Sequence, residues 1–261
     1  MTSRSRLRVG FLHVGRERSG LRRLGRAADR LVVHSEEERR RLAGLAPADR
    51  VEVVPHFVEV RSDLPDRVAA RQALDLDDRR VVTLLGYMTR RRGHRLVIEA
   101  LAELPPDVLA LFVGTPIDGR DHIEAELAAH ANAMGVGDRV RFLGYVPDED
   151  LEAVLVATDV ALCPFRVMSA SGALATWISV GRPIVTSELA PFAEIAALAP
   201  GSLHMFTPYE PAALAATIAR TLESATAAPD ARVQALARRL AAPRIMDRYV
   251  GLYHAAAVGR G

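Results

Sequence analysis

From Arg80 onward, short uncharged apolar runs alternate with longer segments of helical period, and this alternation constrains the fold more than any other feature. Residues 81–85 and 108–113 are continuous apolar runs, the pattern of strands covered on both faces. Residues 139–143, 160–163, 184–186 and 203–206 read as the remaining strands. Between them lie helical stripes: Val97, Leu101 and Leu104; Ile123, Leu127, Ala131 and Met134; Leu151, Val154 and Leu155. A helix is expected from about 172 to 180, and Leu214, Ile218 and Leu222 mark another behind Pro211. Six strands, each followed by a crossover helix, force a parallel sheet with right-handed crossovers and helices on both faces. The reading is a doubly wound α/β domain over residues 79–228. Ligands in such sheets bind beyond the carboxyl ends of the strands, where the winding reverses. The loops after Leu85, Val113, Leu143, Cys163 and Thr186 are therefore the ones that matter.

Upstream, residues 7–14 read as a strand, 19–28 as a helix and 31–33 as a strand. Ser35 opens a further helix, with Glu38 three positions on completing a capping box. Residues 51–54 form a strand ended by Pro55. Residues 58–78 are polar and poorly periodic, a linker with one or two helical turns near 67–74. Two helices, over 231–240 and 244–257, close the chain.

The balance of 34 basic and 32 acidic residues argues against a dedicated nucleic-acid binder. Cys163 stands alone, so no internal disulfide forms and a reducing cytoplasm is the expected compartment. No run of about 18 uncharged apolar residues exists to span a membrane. The arginines between Arg16 and Arg26 leave peripheral membrane contact open, with a solvated helix face as the plainer reading. The histidines show no ligand spacing, and neither a metal nor a cofactor is expected. His13, just after the first strand, is a candidate cleft residue or an ordinary loop histidine.

Two loops carry the chemistry. The first, Gly86-Tyr-Met-Thr-Arg-Arg-Arg-Gly93, sets Arg90, Arg91 and Arg92 at the ligand end of the sheet, where an anion is the natural guest. The second runs from Pro164 to Gly172 and feeds a helix. Small residues there leave the N–H groups of Ser171, Gly172 and Ala173 accessible, with the Ser169 and Ser171 hydroxyls beside them. A solvated turn and a plain serine cap are the bland alternatives.

Taken in order, five segments resemble the C-terminal domain of glycosyltransferase family 4, a group of retaining, metal-independent enzymes of the GT-B fold. They are Gly86-x6-Gly93, Val140-Arg-Phe-Leu-Gly-Tyr-Val-Pro-Asp, Ala157-Thr-Asp-Val-Ala-Leu-Cys-Pro-Phe, Ser169-Ala-Ser-Gly-Ala-Leu and Gly181-Arg-Pro-Ile-Val-Thr-Ser. Ala28-Asp-Arg-Leu-Val-Val-His-Ser35 and Val53-Val-Pro-His56 resemble the end of that family's N-terminal domain, and the last helix resembles its bracing tail. The resemblance implies a hexosyltransferase using a nucleoside-diphosphate sugar. Arg92 stands where the family grips the donor diphosphate and counts as the catalytic candidate. Gly86, Arg90, Arg91, Ser171, Gly172 and Ala173 fall on the phosphate side, and Arg90 or Arg91 substitutes for an arginine the family carries where this chain has Tyr87. Tyr145 and Val146 fall where the nucleobase sits. The family's two carboxylates, for donor sugar and ribose, are replaced by Met168 and Thr176, leaving Ser169 or Ser171 and Thr176 to make those contacts.

The expected organisation is residues 1–57 as a remnant of the acceptor-side domain, 58–78 as linker, 79–228 as the donor-binding domain and 229–261 as bracing helices. So short an acceptor side points to a partner chain or dimer mate that completes the cleft. A non-catalytic nucleotide-sugar-binding subunit and a truncated, inactive transferase are the alternatives.

Overall fold

The computed structural model describes residues 9–11, 25, 27–76, 78–117, 120, 122–168 and 170–258. Its larger sheet has six parallel strands: β4 (Arg80–Leu85), β5 (Val108–Val113), β6 (Val140–Gly144), β7 (Val160–Cys163), β8 (Ile184–Ser187) and β9 (Leu203–Phe206). They lie in the order β6-β5-β4-β7-β8-β9, so the winding reverses between β4 and β7. Three further parallel strands, β1 (Val9–Phe11), β2 (Arg30–Val33) and β3 (Val51–Val53), form a small separate sheet in that order. The longer strand and helix expected over 7–14 and 19–28 lie mostly outside the described residues.

The continuous apolar runs become strands because both faces of the large sheet are covered. Val82, Leu84, Ala110 and Phe112 point into one core with α3 (His94–Leu101), α4 (His122–Ala133) and α8 (Pro211–Ser224). Their neighbours Val81, Leu109 and Leu111 face α2 (Arg67–Ala73) and α5 (Asp148–Ala157). Ala161, Cys163 and Ile184 pack with α6 (Gly172–Val180), α7 (Ala190–Leu198) and α9 (Ala231–Leu240). Each large aliphatic side chain buried this way contributes about 1.5–3 kcal/mol of transfer free energy. The stripe Leu214, Ile218 and Leu222 is buried as its spacing predicts.

Three local expectations change. Met134 is not on the buried stripe: α4 ends at Ala133, the chain turns at Gly135 with φ 70°, and Met134 is left exposed. β6 starts at Val140, because Gly137–Arg139 is a 3-10 turn. The buried Arg139 guanidinium then donates to the carbonyls of Val108, Leu104 and Pro105, stitching two loops beneath the sheet. The capping box on α1 (Glu36–Arg41) is displaced by one residue: Ser35 Oγ accepts from Glu38 N at 3.1 Å, while the Glu38 carboxylate accepts from His34 N at 2.8 Å.

The segment expected as linker is firmly attached. Val58 N donates to Leu240 O at 2.8 Å, and Ala242 N, at the start of α10 (Ala242–Val258), donates to Val58 O at 2.9 Å. Arg67 of α2 pairs with Asp159 at 2.5 Å, and Arg71 of the same helix lies 3.5 Å from the other carboxylate oxygen. The small sheet is joined to the large domain by two more contacts. Glu194 of α7 accepts from Glu36 N at 2.7 Å and Glu37 N at 3.1 Å, the open first turn of α1. Arg248 of α10 donates to Val53 O at 2.7 Å.

Candidate functional site

The turn after β4 and the loop after β7 meet at the switch point. Gly86 and Gly93 adopt φ of 119° and 87°, the left-handed region that favours glycine. At Gly93 a Cβ would fall 2.4 Å from Pro164 O, so the absence of a side chain lets the start of α3 press against the second loop. The contact is fixed by Arg166 N donating to Arg91 O at 2.9 Å and Tyr209 OH donating to Pro164 O at 2.8 Å.

Between the loops lies a cavity of about 210 Å³, lined by Arg91, Arg92, Phe165, Met168 and Ser171 among others. Arg92 is half-buried, with its guanidinium 4.3 Å above the Phe165 ring centroid. It also sits over the Cα of Gly86, where a built Cβ would be 3.6 Å from it. Burial pulls the Arg92 pKa below the usual arginine value. No carboxylate pairs with Arg92 among the described residues. The nearby Cys163 thiol, pushed up to about 12 by burial, is neutral and supplies no counter-charge at neutral pH. A desolvated cation without a partner is unfavourable, and an anion entering the cavity relieves that cost.

The opposite wall is the start of α6. Ser171 caps the helix, its Oγ accepting from Leu174 N at 3.2 Å, and Ala175 N to Ser171 O at 3.0 Å is the first helical bond. The N–H groups of Gly172 and Ala173 precede that bond and have no partner within the helix. A Cβ at Gly172 would meet nothing within 4 Å, so the approach to them is open. The serine cap and the open N–H donors coexist at this helix start.

The remaining sequence candidates scatter. Arg90 does not join Arg91 and Arg92. Its exposed side chain lies 3.7 Å from Glu126 and lines a separate cavity of about 250 Å³ between α3 and α4. Successive side chains of a tight turn point in different directions, and here Arg92 N donates to Thr89 O at 3.1 Å within it. Tyr145 follows Gly144 at the end of the edge strand β6 and is 75% exposed, while Val146 packs against the buried cluster that contains Leu109, Leu111 and Val154. Neither lines the Arg92 cavity. Thr176 faces a third cavity, of about 520 Å³, that begins at Gly172. Ser169 and His13 lie outside the described residues.

Sequence reasoning missed several neighbours of the site. Phe165, the apolar floor under Arg92, follows a proline in an irregular loop and carries no periodic signal. His34 and His56, from the small sheet and the segment after it, line a narrow crevice with Met168 and Ser171. His94, at the start of α3, is buried against Phe112, with ring centroids 5.0 Å apart, and its pKa is lowered to about 4 by burial and by the charge of Arg92. Among the described residues no cluster of three or more His, Cys, Asp or Glu is arranged to hold a metal.

The fold and the site together define a class: an open, doubly wound α/β domain with an unpaired arginine facing an open helix start at its switch point. The family model described as "Glycosyl transferases group 1" matches residues 79–224, and this chain belongs to that family. It is 35% identical over 166 residues to D-inositol 3-phosphate glycosyltransferase of Mycobacterium sp. (strain KMS), covering 62% of this chain but 38% of that protein. It is 32% identical over 169 residues to the GDP-mannose-dependent alpha-(1-6)-phosphatidylinositol monomannoside mannosyltransferase of Mycolicibacterium smegmatis, covering 62% and 43%. The chain thus spans less than half the length of these relatives. Among solved structures, HepE of Anabaena in complex with UDP and glucose superposes with a TM-score of 0.83 at 22% identity, covering 94% of this chain and 71% of that one. Sucrose-phosphate synthase of Thermosynechococcus elongatus gives 0.79 at 21%, covering 94% and 63%. The shared fold is that of GT-B glycosyltransferases.

Proposed function

We propose that this chain binds a nucleoside-diphosphate sugar and forms the donor side of a retaining hexosyltransferase. The observation that carries the reading is the single cavity in which Arg91 and the carboxylate-free Arg92 face the Ser171 start of α6. A diphosphate seated there would accept from the Gly172 and Ala173 N–H groups and neutralise Arg92. As the glycosidic bond breaks, negative charge grows on the departing diphosphate, and fixed donors and a cation aimed at it lower the barrier. Arg92 and the helix start fill the role that a metal plays elsewhere, so we assign no metal to the reaction. In this reading Gly86, at a φ of 119°, turns the chain beneath Arg92 on the phosphate side, Thr176 and the cavity before it receive the nucleoside or hexose, and Tyr145 and Val146 border the base.

The names of the relatives suggest donors with uridine or guanosine diphosphate and acceptors of the inositol phosphate or phosphatidylinositol class. No helix of the described residues is long and apolar enough to cross a membrane, and we place the reaction in the cytoplasm, with peripheral membrane contact where the acceptor is a lipid. One observation favours a second reading, of nucleotide-sugar binding without turnover. Met168 and Thr176 offer no carboxylate to the donor.

Calorimetry with UDP-glucose, GDP-mannose and ADP-glucose, followed by transfer assays to inositol phosphate and phosphatidylinositol, tests both. Binding with transfer supports the enzyme, binding without transfer supports the second reading, and no heat with any donor refutes both.

A further inference from the structure

The cavity of about 520 Å³ runs along the face of α6 marked by Gly172, Thr176 and Ser179, and its other wall comes from residues 56–62 and from Glu152 of α5. The two walls differ in chemistry. On the α6 side Gly172 has no side chain, and the Ser179 hydroxyl is spent donating to Thr176 O at 2.7 Å. The Thr176 hydroxyl and the Ser179 oxygen are the polar side-chain groups that remain there, and neither carries a charge.

The facing wall is rich in acceptors. Arg61 and Glu152 pair with each other at 2.8 Å, which leaves Glu59 as an exposed carboxylate with no ion-pair partner among the described residues. His56 Nδ1 lies 2.7 Å from Phe57 O. A carbonyl only accepts, so Nδ1 carries the hydrogen and the neutral ring keeps Nε2 as an acceptor. The ring is held in place by stacking on Phe57 at 5.1 Å and by His34 at 5.8 Å. Its orientation therefore costs little to fix when a ligand arrives.

We propose that this cavity is a polyol subsite in which His56 and Glu59, rather than side chains of α6, accept hydrogen bonds from the hydroxyls of the bound nucleotide sugar. The assignment rests on the proposed seating of the diphosphate at the start of α6, because Gly172 borders both that seat and this cavity. Sugar hydroxyls must donate as well as accept once they leave water, and a buried hydroxyl without an acceptor is penalised. An imidazole nitrogen and a carboxylate that is not tied up in an ion pair among the described residues are acceptors this wall offers. They make residues 56–59 determinants of donor preference. The hydroxyls come from the ribose or from the transferred hexose, and both present vicinal pairs.

The test is calorimetry on the full chain, with UDP, 2′-deoxy-UDP and UDP-glucose, and with GDP, 2′-deoxy-GDP and GDP-mannose, for wild type, Glu59→Gln and His56→Leu. Glu59 is exposed, so its glutamine variant is expected to keep the fold, which melting temperature checks. Glu59→Gln should weaken binding of the preferred nucleotide by about tenfold or more, and His56→Leu by roughly three- to tenfold. If the ribose is the ligand, the loss appears with UDP or GDP and vanishes with the 2′-deoxy nucleotide; if the hexose is, it appears only with the sugar nucleotide. Either pattern supports the subsite. Wild-type affinity in both variants for every nucleotide overturns it while leaving the diphosphate seat intact. No binding to wild type at all overturns the seat and this subsite together.

Discussion

Replacing Arg92 with methionine separates a binding role from a structural one. The side chain keeps a similar length over Phe165 and Gly86 but loses its charge. If a diphosphate sits between Arg92 and α6, the variant forfeits charge-assisted hydrogen bonds worth about 1.5–3 kcal/mol. That corresponds to a dissociation constant roughly 10- to 150-fold larger. In the unliganded protein the sign reverses. Methionine gives up a cation–π contact of about 0.5–1 kcal/mol but also removes a desolvated, unpaired cation. The two effects nearly offset, and the stability of Arg92→Met should stay within about 1 kcal/mol of wild type, on the stabilising side. Calorimetry with the tightest-binding nucleotide and urea unfolding of the free protein measure both quantities. Raising the salt concentration should weaken wild-type binding more than binding to the variant, because screening acts on the charge that the variant lacks. An unchanged dissociation constant, or a loss of binding that tracks a loss of stability of 2 kcal/mol or more, refutes the reasoning.

Three other expectations follow from the same geometry. Gly93→Ala forces a Cβ to 2.4 Å from Pro164 O at a φ of 87°, so it should destabilise the fold by about 1–3 kcal/mol and loosen nucleotide binding; wild-type urea stability would contradict this. His94 is held neutral, its pKa lowered to about 4 from an unfolded value near 6.5, so the unfolded chain takes up its proton first as pH falls. The stability His94 allows is complete above about pH 6.5 and drops by about 3 kcal/mol by pH 4, and His94→Leu should flatten that part of the pH–stability curve. Glu194→Gln removes the charge that holds the first turn of α1, and amide exchange at Glu36 and Glu37 should quicken by roughly fivefold, while amides of β4 and β5 stay as protected as before.

Much of the fold is legible in the sequence because burial on both faces leaves no room for polar residues in β4 and β5. The strands β7 and β9 and the helices α6 and α9 begin and end where the sequence pattern places them. The two loops of the site were legible for a related reason. Gly93 and the Ser171–Gly172 step are local requirements of backbone geometry, written at the positions that need them. What was not legible depends on contacts between distant parts of the chain. Three consecutive arginines look equivalent in a string, yet the turn sends Arg90 toward Glu126 and Arg92 toward Phe165. His56 and Glu59 sit in a stretch without period, and their place beside Thr176 arises only because Val58 is tied to the corner between α9 and α10. The sequence leaves Glu194 as either a cleft-facing or a helix-surface residue, and only the folded chain brings the start of α1 to it.

The three ties between the small sheet and the large domain bear on how the molecule can move. A hinge works only where nothing bridges it. Rotation about residues 54–58 would have to break the Glu194 contacts to α1, the Arg248 bond to Val53 and the backbone pair at Val58 together. The small sheet and the large domain should therefore move as one rigid body. The crevice that His34 and His56 form beside Ser171 should then keep its shape as the molecule moves.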